Sequence, residues 1–409
     1  MPTPRQQLLE KLAVKTDSKI VLVVMDGVGG IHTLNSPRTA LEIAKTPNMD
    51  ALAAKSALGR ANPADVGITP GSGPGHLALF GYDPIVPAHE IGRGVLEACG
   101  INFRLGANMV ATRGNFCTLG PDKKITDRRA GRIPSEEGAR ICAKLQAAIT
   151  EIEGVKIHVL PVKEYRFCVI FEGAGLAPEV LDTDPQRVGL ETLPAKNFVE
   201  TEAARKTANI ANKFIAKAFQ VIADEPKANG LVLRGFSVDP GLPTFQDLYK
   251  LTPCAIATYP LYRGVASLAG MDVLETGQTI ADEVETLKAV WDKYDFFFFH
   301  VKKTDSSGED GNLDYKVHVI EEFDAALAEI MKLGPNVIAI TGDHCTPYVM
   351  KGHSFHPVPL LVCGENCDVD DTARFTESEC RRGGLGTIYS EKLMGLLLAN
   401  AGKLNKFGS

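Results

Sequence analysis

Four short apolar runs constrain this chain more than any other feature: "KIVLVVM" (19–25), "YDFFFFHV" (294–301), "NVIAI" (336–340) and "PVPLLVCG" (357–364). Each has the length of a single strand, and none alternates with polar residues, the pattern of strands covered on both faces. Longer amphipathic segments separate them, so the expected fold class is α/β, a mainly parallel sheet sandwiched by helices. The polar neighbours of these runs are equally informative. The first ends in Asp26, the second runs through "KKTD" to Asp305, the third enters Asp343 and His344, and the fourth follows His353 and His356. In open parallel sheets ligands gather at the carboxyl ends of strands, where loops diverge. Residues more than 300 positions apart in sequence can therefore share one site.

The middle of the chain has a different texture. From 85 to 250 it carries charged, glycine-containing segments, among them "EGVKIHVLPVKEYRFCVIFEGAG", which alternates like half-exposed antiparallel strands. The expectation is a discontinuous domain of 1–84 and 251–409 with an inserted α+β domain of 85–250. The formal charge of −6 argues against a nucleic-acid or anionic-membrane partner, since either requires a broad basic surface. The nine cysteines are scattered and include no C-x-x-C pair, so neither a disulfide framework nor a cysteine zinc knuckle is indicated. With no apolar leader segment and no run long enough for a membrane span, a reducing, cytoplasmic setting is expected. Monomer and homo-oligomer stay equally open.

The candidate chemistry divides into a serine loop and an acid–histidine set. "ITPGSGPGHLALFGYDP" (68–84) places Ser72 among glycines and prolines just before a helix at "HLALFG". Such a serine is either a helix cap or a group held close to a ligand. His76 is expected to pack beside this loop or to touch a substrate. Asp26, Asp305, Glu309, Asp343, His344 and His353 all stand at strand ends. One such aspartate is ordinarily a turn or cap residue. A whole set suits a pair of divalent metals about 4 Å apart, which neutralise phosphoryl oxygens and ionise a nucleophile. Cys345, in oxygen-rich company, fits a small core thiol better than a soft ligand. His356 is expected to be structural, and "RR" at Arg128 and Arg129 is by itself an ordinary solvated face.

"VMDGVGG", "TPGSGPGHLALFGYDP", "TDRRAGRI", "TDSSGEDG", "TGDHCTP" and "HSFHPVPLL", in this order, resemble the archaeal-type cofactor-independent phosphoglycerate mutases of the alkaline phosphatase superfamily, from about residue 18 to near the end. The resemblance implies an alkaline-phosphatase-like metal-binding domain built from the two ends of the chain and an inserted cap that binds glycerate, with hinges near 85 and 250. It implies interconversion of 3-phosphoglycerate and 2-phosphoglycerate through a phosphoserine on Ser72, with no external bisphosphoglycerate. Asp26, Ser72, Asp343 and His344 match the motifs that hold one metal, and Asp305 and His353 those that hold the other. Where the family pattern "TDxxGHD" has histidine, this chain has Glu309, a hard oxygen ligand that moves the expected preference toward Mn²⁺ or Mg²⁺ over Zn²⁺ or Co²⁺. Asp310 is the fallback ligand. Asp127 is the implied general acid/base beside Arg128, and Arg93, Arg129, Arg132 and Arg234 are the implied anion-binding arginines. The competing readings are a phosphohydrolase or phosphomutase of the same superfamily acting on another small phosphate or phosphonate, an inactive binding derivative, and a zinc module on "GDHC", which lacks the ligand spacing.

Overall fold

The computed structural model describes residues 2–408. In chain order the strands are β1 (Ile20–Met25), β2 (Ala57–Asn62), β3 (Met109–Leu119), β4 (Ile125–Asp127), β5 (Glu151–Ile152), β6 (Val155–Lys163), β7 (Arg166–Glu172), β8 (Gly230–Ser237), β9 (Pro253–Ile256), β10 (Asp272–Val273), β11 (Phe296–Val301), β12 (Val337–Thr341), β13 (Val358–Gly364) and β14 (Gly386–Tyr389). The chain divides into two units, 1–90 with 241–409, and 91–240. These junctions lie inside the expected 85–250 span because hydrogen bonds tie its flanks to the first unit. The Tyr82 hydroxyl donates to Pro243 O (2.6 Å), the Tyr249 hydroxyl to Phe80 O (3.0 Å), and the His89 Nδ1–H to Asp83 O (2.8 Å).

The first unit is built on an eight-stranded sheet of order β10-β9-β11-β1-β12-β13-β2-β14. The four apolar runs all became strands, and β1 lies between β11 and β12, parallel to both. The phenylalanine run shows why periodicity was absent. Phe297 stacks on Trp291 from one side (4.7 Å), while Phe298 meets Phe80 (4.9 Å) and His76 (5.7 Å) from the other. Each such burial contributes about 1.5–3 kcal/mol, so both faces of β11 are held by helices or helix-borne side chains. The parallel pattern breaks at β13, which is antiparallel to β12 and to β2. The connection from Gly342 to Pro357 contains no crossover helix, so the chain can only turn back on itself. That return stretch is the one carrying Asp343, His344 and His353.

The second unit has a six-stranded sheet, β4-β3-β7-β6-β5 with β8 paired to β3, antiparallel at each pairing. The helices Ser135–Ala148 and Glu202–Val221 bury Ile141, Leu145, Ile210 and Phe214 in a core with Phe116, Phe167 and Phe171. Among the described residues no helix is long and apolar enough to cross a membrane.

Candidate active site

Ser72 is the first residue of the helix Ser72–Leu79, and Gly71, in extended conformation, is its N-cap. The hydroxyl is therefore not consumed in capping. It lies 3.2 Å from His344 Nε2. Pro74, in the first turn, gives up an N–H that would have no partner within the helix. Gly75 is required by approach: a Cβ there would stand 2.3 Å from Asp343 O. The glycine at 75 thus lets the helix that begins at Ser72 lie directly against the turn that follows β12.

Asp26, Asp343 and His344 converge beside Ser72 and are fully buried. His344 Nε2 is 3.3 Å from Asp26 Oδ1 and 3.2 Å from Asp343 Oδ2. Those two carboxylate oxygens have no hydrogen-bond partner. The tautomer of His344 follows from Thr346. Its hydroxyl donates to Asp305 Oδ1 (2.8 Å), which can only accept, so at 3.0 Å it accepts from His344 Nδ1–H. In the neutral ring Nε2 then carries a lone pair. Two orphaned carboxylate oxygens and an imidazole lone pair, fully buried and within 3.3 Å, repel one another unless a cation stands among them. These donors fit a divalent metal ion.

A second group adjoins the first. His353 Nε2 is 3.5 Å from Asp305 Oδ1, and the His353 ring stacks on His344 at 3.6 Å. Asp305, His344 and His353 can meet around one ion, as can Asp26, Asp343 and His344. His344 thus belongs to both groups, where the motif assignment gave it to one. Glu309 stands at the rim: its Oε1 is 3.9 Å from His353 Nε2 and its side chain is 55% exposed. Asp310 caps the end of the same helix, Lys303–Glu309, and is exposed. Cys345 is buried, its thiol turned to His356 O and Pro357 O, and takes no part in either group.

Two residues that sequence reasoning missed, Lys302 and Tyr262, hold these carboxylates. Lys302 Nζ donates to Asp26 Oδ2 (2.8 Å) and Asp305 Oδ2 (2.6 Å), so one ammonium joins a carboxylate of each group. Burial opposes its charge, but the two carboxylates outweigh burial and raise its pKa. The buried Tyr262 hydroxyl also donates to Asp26 Oδ2; burial and then the nearby aspartates push its pKa far up, which keeps the proton in place. His76 is fully buried, with Nδ1 donating to Ser72 O at 2.7 Å and lying 3.2 Å from Asp343 Oδ2. It therefore fixes the first turn of the Ser72 helix. Burial lowers the basicity of His353, yet its bond to Asp305 prevails and its pKa rises to about 9. Asp305 is held below the usual carboxylate range: burial works the other way, but His353 and Lys302 overcome it. Gly27, at φ +58°, makes the turn after Asp26 and presents its N–H to Asp343 Oδ1 (3.0 Å).

The expected glycerate residues lie in the second unit and fall into separate sets. Arg128 donates to Asp184 Oδ2 (2.8 Å), and Arg234 reaches Asp182 (3.3 Å) and Asp184 (3.4 Å). Arg129 and Arg132 are exposed on a turn whose residues Ala130 to Arg132 all have positive φ. Asp127 holds that turn, accepting N–H groups of Arg129 and Gly131, both at 2.8 Å. Arg93 opens the helix Arg93–Gly100, beside Glu97 and Arg113, which pair at 3.2 Å.

Comparison with known proteins identifies the family. A family model described as 2,3-bisphosphoglycerate-independent phosphoglycerate mutase matches residues 53–228. A protein of Thermus thermophilus named as a probable mutase of this kind is 51% identical over 405 residues, covering 98% of this chain and 99% of the relative. The chain belongs to this family. An Aquifex aeolicus protein with the same name is 50% identical over 98% of this chain and its whole length. Among solved structures, a Pyrococcus horikoshii protein is similar with a TM-score of 0.81 and 29% identity, over 96% of this chain and 99% of that one. The cofactor-independent phosphoglycerate mutase of Thermoplasma acidophilum gives a TM-score of 0.71 and 26% identity, over 94% and 100%. The protein is an isomerase, its family's reaction is the interconversion of 3-phosphoglycerate and 2-phosphoglycerate, and the family implies use of divalent metal ions.

Proposed function

We propose that the protein carries out its family's reaction through a phosphoserine on Ser72, with Asp26, Asp343 and His344 holding one divalent ion and Asp305, His353 and Glu309 the other. The observation that carries this reading is the convergence of the Asp26 and Asp343 orphan oxygens, the His344 lone pair and the Ser72 hydroxyl at one buried point. When bound, divalent ions supply positive charge that favours the serine alkoxide and neutralises phosphoryl oxygens. The carboxylate-rich donor set puts Mn²⁺ or Mg²⁺ ahead of Zn²⁺ or Co²⁺.

The residues themselves set the geometry of transfer. Ser72 Oγ attacks phosphorus in line, the bond from phosphorus to the glycerate oxygen breaks, and that oxygen takes up a proton. The other glycerate hydroxyl then attacks the phosphoserine, releasing Ser72 and completing the exchange. His76 and Gly75 keep the serine's turn seated on β12 throughout. Lys302 and Thr346 keep the two carboxylate groups in register with each other. In the second unit, the guanidinium groups of Arg93, Arg128, Arg129, Arg132 and Arg234 suit the carboxylate and phosphate of the substrate. Asp127 keeps lone pairs on both oxygens beyond its two backbone bonds, which leaves it able to exchange a proton with a glycerate hydroxyl.

The test is an enolase-coupled assay with 3-phosphoglycerate and no bisphosphoglycerate, on protein stripped of metal and resupplied with Mn²⁺, Mg²⁺, Zn²⁺ or Co²⁺ in turn. Turnover should return, most strongly with Mn²⁺ or Mg²⁺. Net release of inorganic phosphate in place of 2-phosphoglycerate would identify a hydrolase instead.

A further inference from the structure

In the first unit, a cavity of about 160 Å³ opens where the segment after Gly29, the start of β13 and the end of β2 come together. Arg60, Arg381, His32 and His356 line it, with Gly30 and Glu377. Both arginines have donors to spare. Among the described residues the only hydrogen-bond partner of the Arg60 guanidinium is Thr387 Oγ1 at 3.0 Å, and that of Arg381 is His32 Nδ1 at 3.2 Å. Because Nδ1 accepts from Arg381, the proton of a neutral His32 lies on Nε2, which donates to Glu42 Oε1 at 2.8 Å. The one carboxylate in the wall is already engaged: Glu377 accepts from Gly30 N (2.8 Å) and the Thr39 hydroxyl (2.6 Å). Two guanidinium groups therefore face a concave space whose negative charge is turned elsewhere.

We propose that this cavity is an anion site, separate from the metal groups, for a small molecule bearing a phosphate group. Two forked cations on different elements match the several oxygens of a phosphate, and the volume leaves room for a short carbon chain beside it. The site is distinct because Arg60 lies on β2, two strands away from β12 with its metal ligands. It is also connected. Gly30 continues the loop that begins at Asp26, and His356 continues the loop that carries His353. Those loops touch where a Cβ on Gly29 would come within 2.2 Å of Cys345 Sγ. An occupant held by Arg60 and Arg381 thus adjoins both of these loops.

The experiment is equilibrium dialysis of the metal-loaded protein against radiolabelled inorganic phosphate, comparing the unaltered protein with Arg60→Met/Arg381→Met. The altered residues touch none of the reacting groups, so turnover of 3-phosphoglycerate without added phosphate should be unchanged, which also certifies the fold. The unaltered protein should bind one more equivalent of phosphate per chain than the double variant. Arg381→Met alone, an exposed change, should raise the dissociation constant of that equivalent roughly tenfold, the loss of one charge-assisted contact. Equal stoichiometry in the two proteins would overturn the proposal. So would an additional equivalent whose affinity is indifferent to Arg381. Competition by glycerol 3-phosphate distinguishes the source: displacement of the extra equivalent shows that the site accepts a monoester, and no displacement restricts it to inorganic phosphate.

Discussion

The two units treat buried charge in opposite ways. In the first, Asp26 and Asp343 are fully enclosed, and although Lys302, Tyr262 and Gly27 donate to one oxygen of each, the other oxygen is left without a partner. In the second, Asp184 is equally enclosed, but Arg128 and Arg234 both reach it, and those arginines keep an edge in solvent. One arrangement is incomplete without added cations, and the other is already neutral. Under the proposed assignment, the difference separates chemistry from recognition. Transferring a phosphoryl group needs uncompensated acceptors that can hold metal charge, whereas holding a substrate needs cations kept in fixed orientation by partners they can share.

Substitutions sharpen this contrast in order of size. Ser72→Ala should lower turnover by at least roughly 10⁴-fold, as expected for loss of a nucleophile; a variant keeping a tenth of the activity in the coupled assay rules out the phosphoserine. Asp343→Asn removes a buried ligand and should weaken metal binding by at least about 100-fold, more than the loss of a supporting contact. Metal content after dialysis measures it. Glu309→Ala, at the rim of the second group, should cost only about tenfold in affinity for one of the two ions. Equal losses at Glu309 and Asp343 would contradict the placement of Glu309.

In the second unit, Asp184→Asn frees Arg128 and Arg234 from their shared partner. The Michaelis constant should rise roughly tenfold while the maximal rate moves little, and a fall confined to the rate would mean that the pair does more than hold substrate. The smallest effect concerns pH. Glu225 is paired with Arg140 (2.5 Å) and Lys144 (3.1 Å), and these cations draw its pKa below the ordinary 4.5. Its contribution is then fully present above pH 4.5 and is lost as pH falls through the lower folded value. Arg140 is half exposed, so solvent screens this contribution. Melting curves of Glu225→Gln and the unaltered protein should converge on acidification and separate near neutrality.

What could be read from sequence was local. Asp26, Asp343 and His344 were visible because they come within three residues of the end of an unbroken apolar strand, and the fold class followed from the same runs. Thr346, inside the quoted "TGDHCTP", was not, because its role depends on two hydrogen bonds to groups in different parts of the chain. Lys302 was one of two adjacent lysines, and only the path of β11 turns it, rather than the exposed Lys303, toward Asp26. Tyr262 and His300 form a stacked pair under Asp26 at 3.9 Å and carry no motif. Asp182 and Asp184 sit in a segment without regular structure, so no periodicity marked them.

The pairing of β1 has a consequence for how the protein is made. Ile20 pairs with Phe296 and Val337, and the strand has no other neighbours in the sheet. At ribosomal rates of ~5–20 residues per second, this wholly apolar strand waits roughly 15–60 s for its partners, while the contiguous second unit is synthesised and can fold in the interval. During that time "IVLVVM" is an unpaired, sticky edge, the kind of segment that chaperones shield. Asp343 and His344 follow directly after β12, so the metal groups can close only after the strand is paired on both sides. A newly made chain gains its metals at the step that ends its exposure to aggregation.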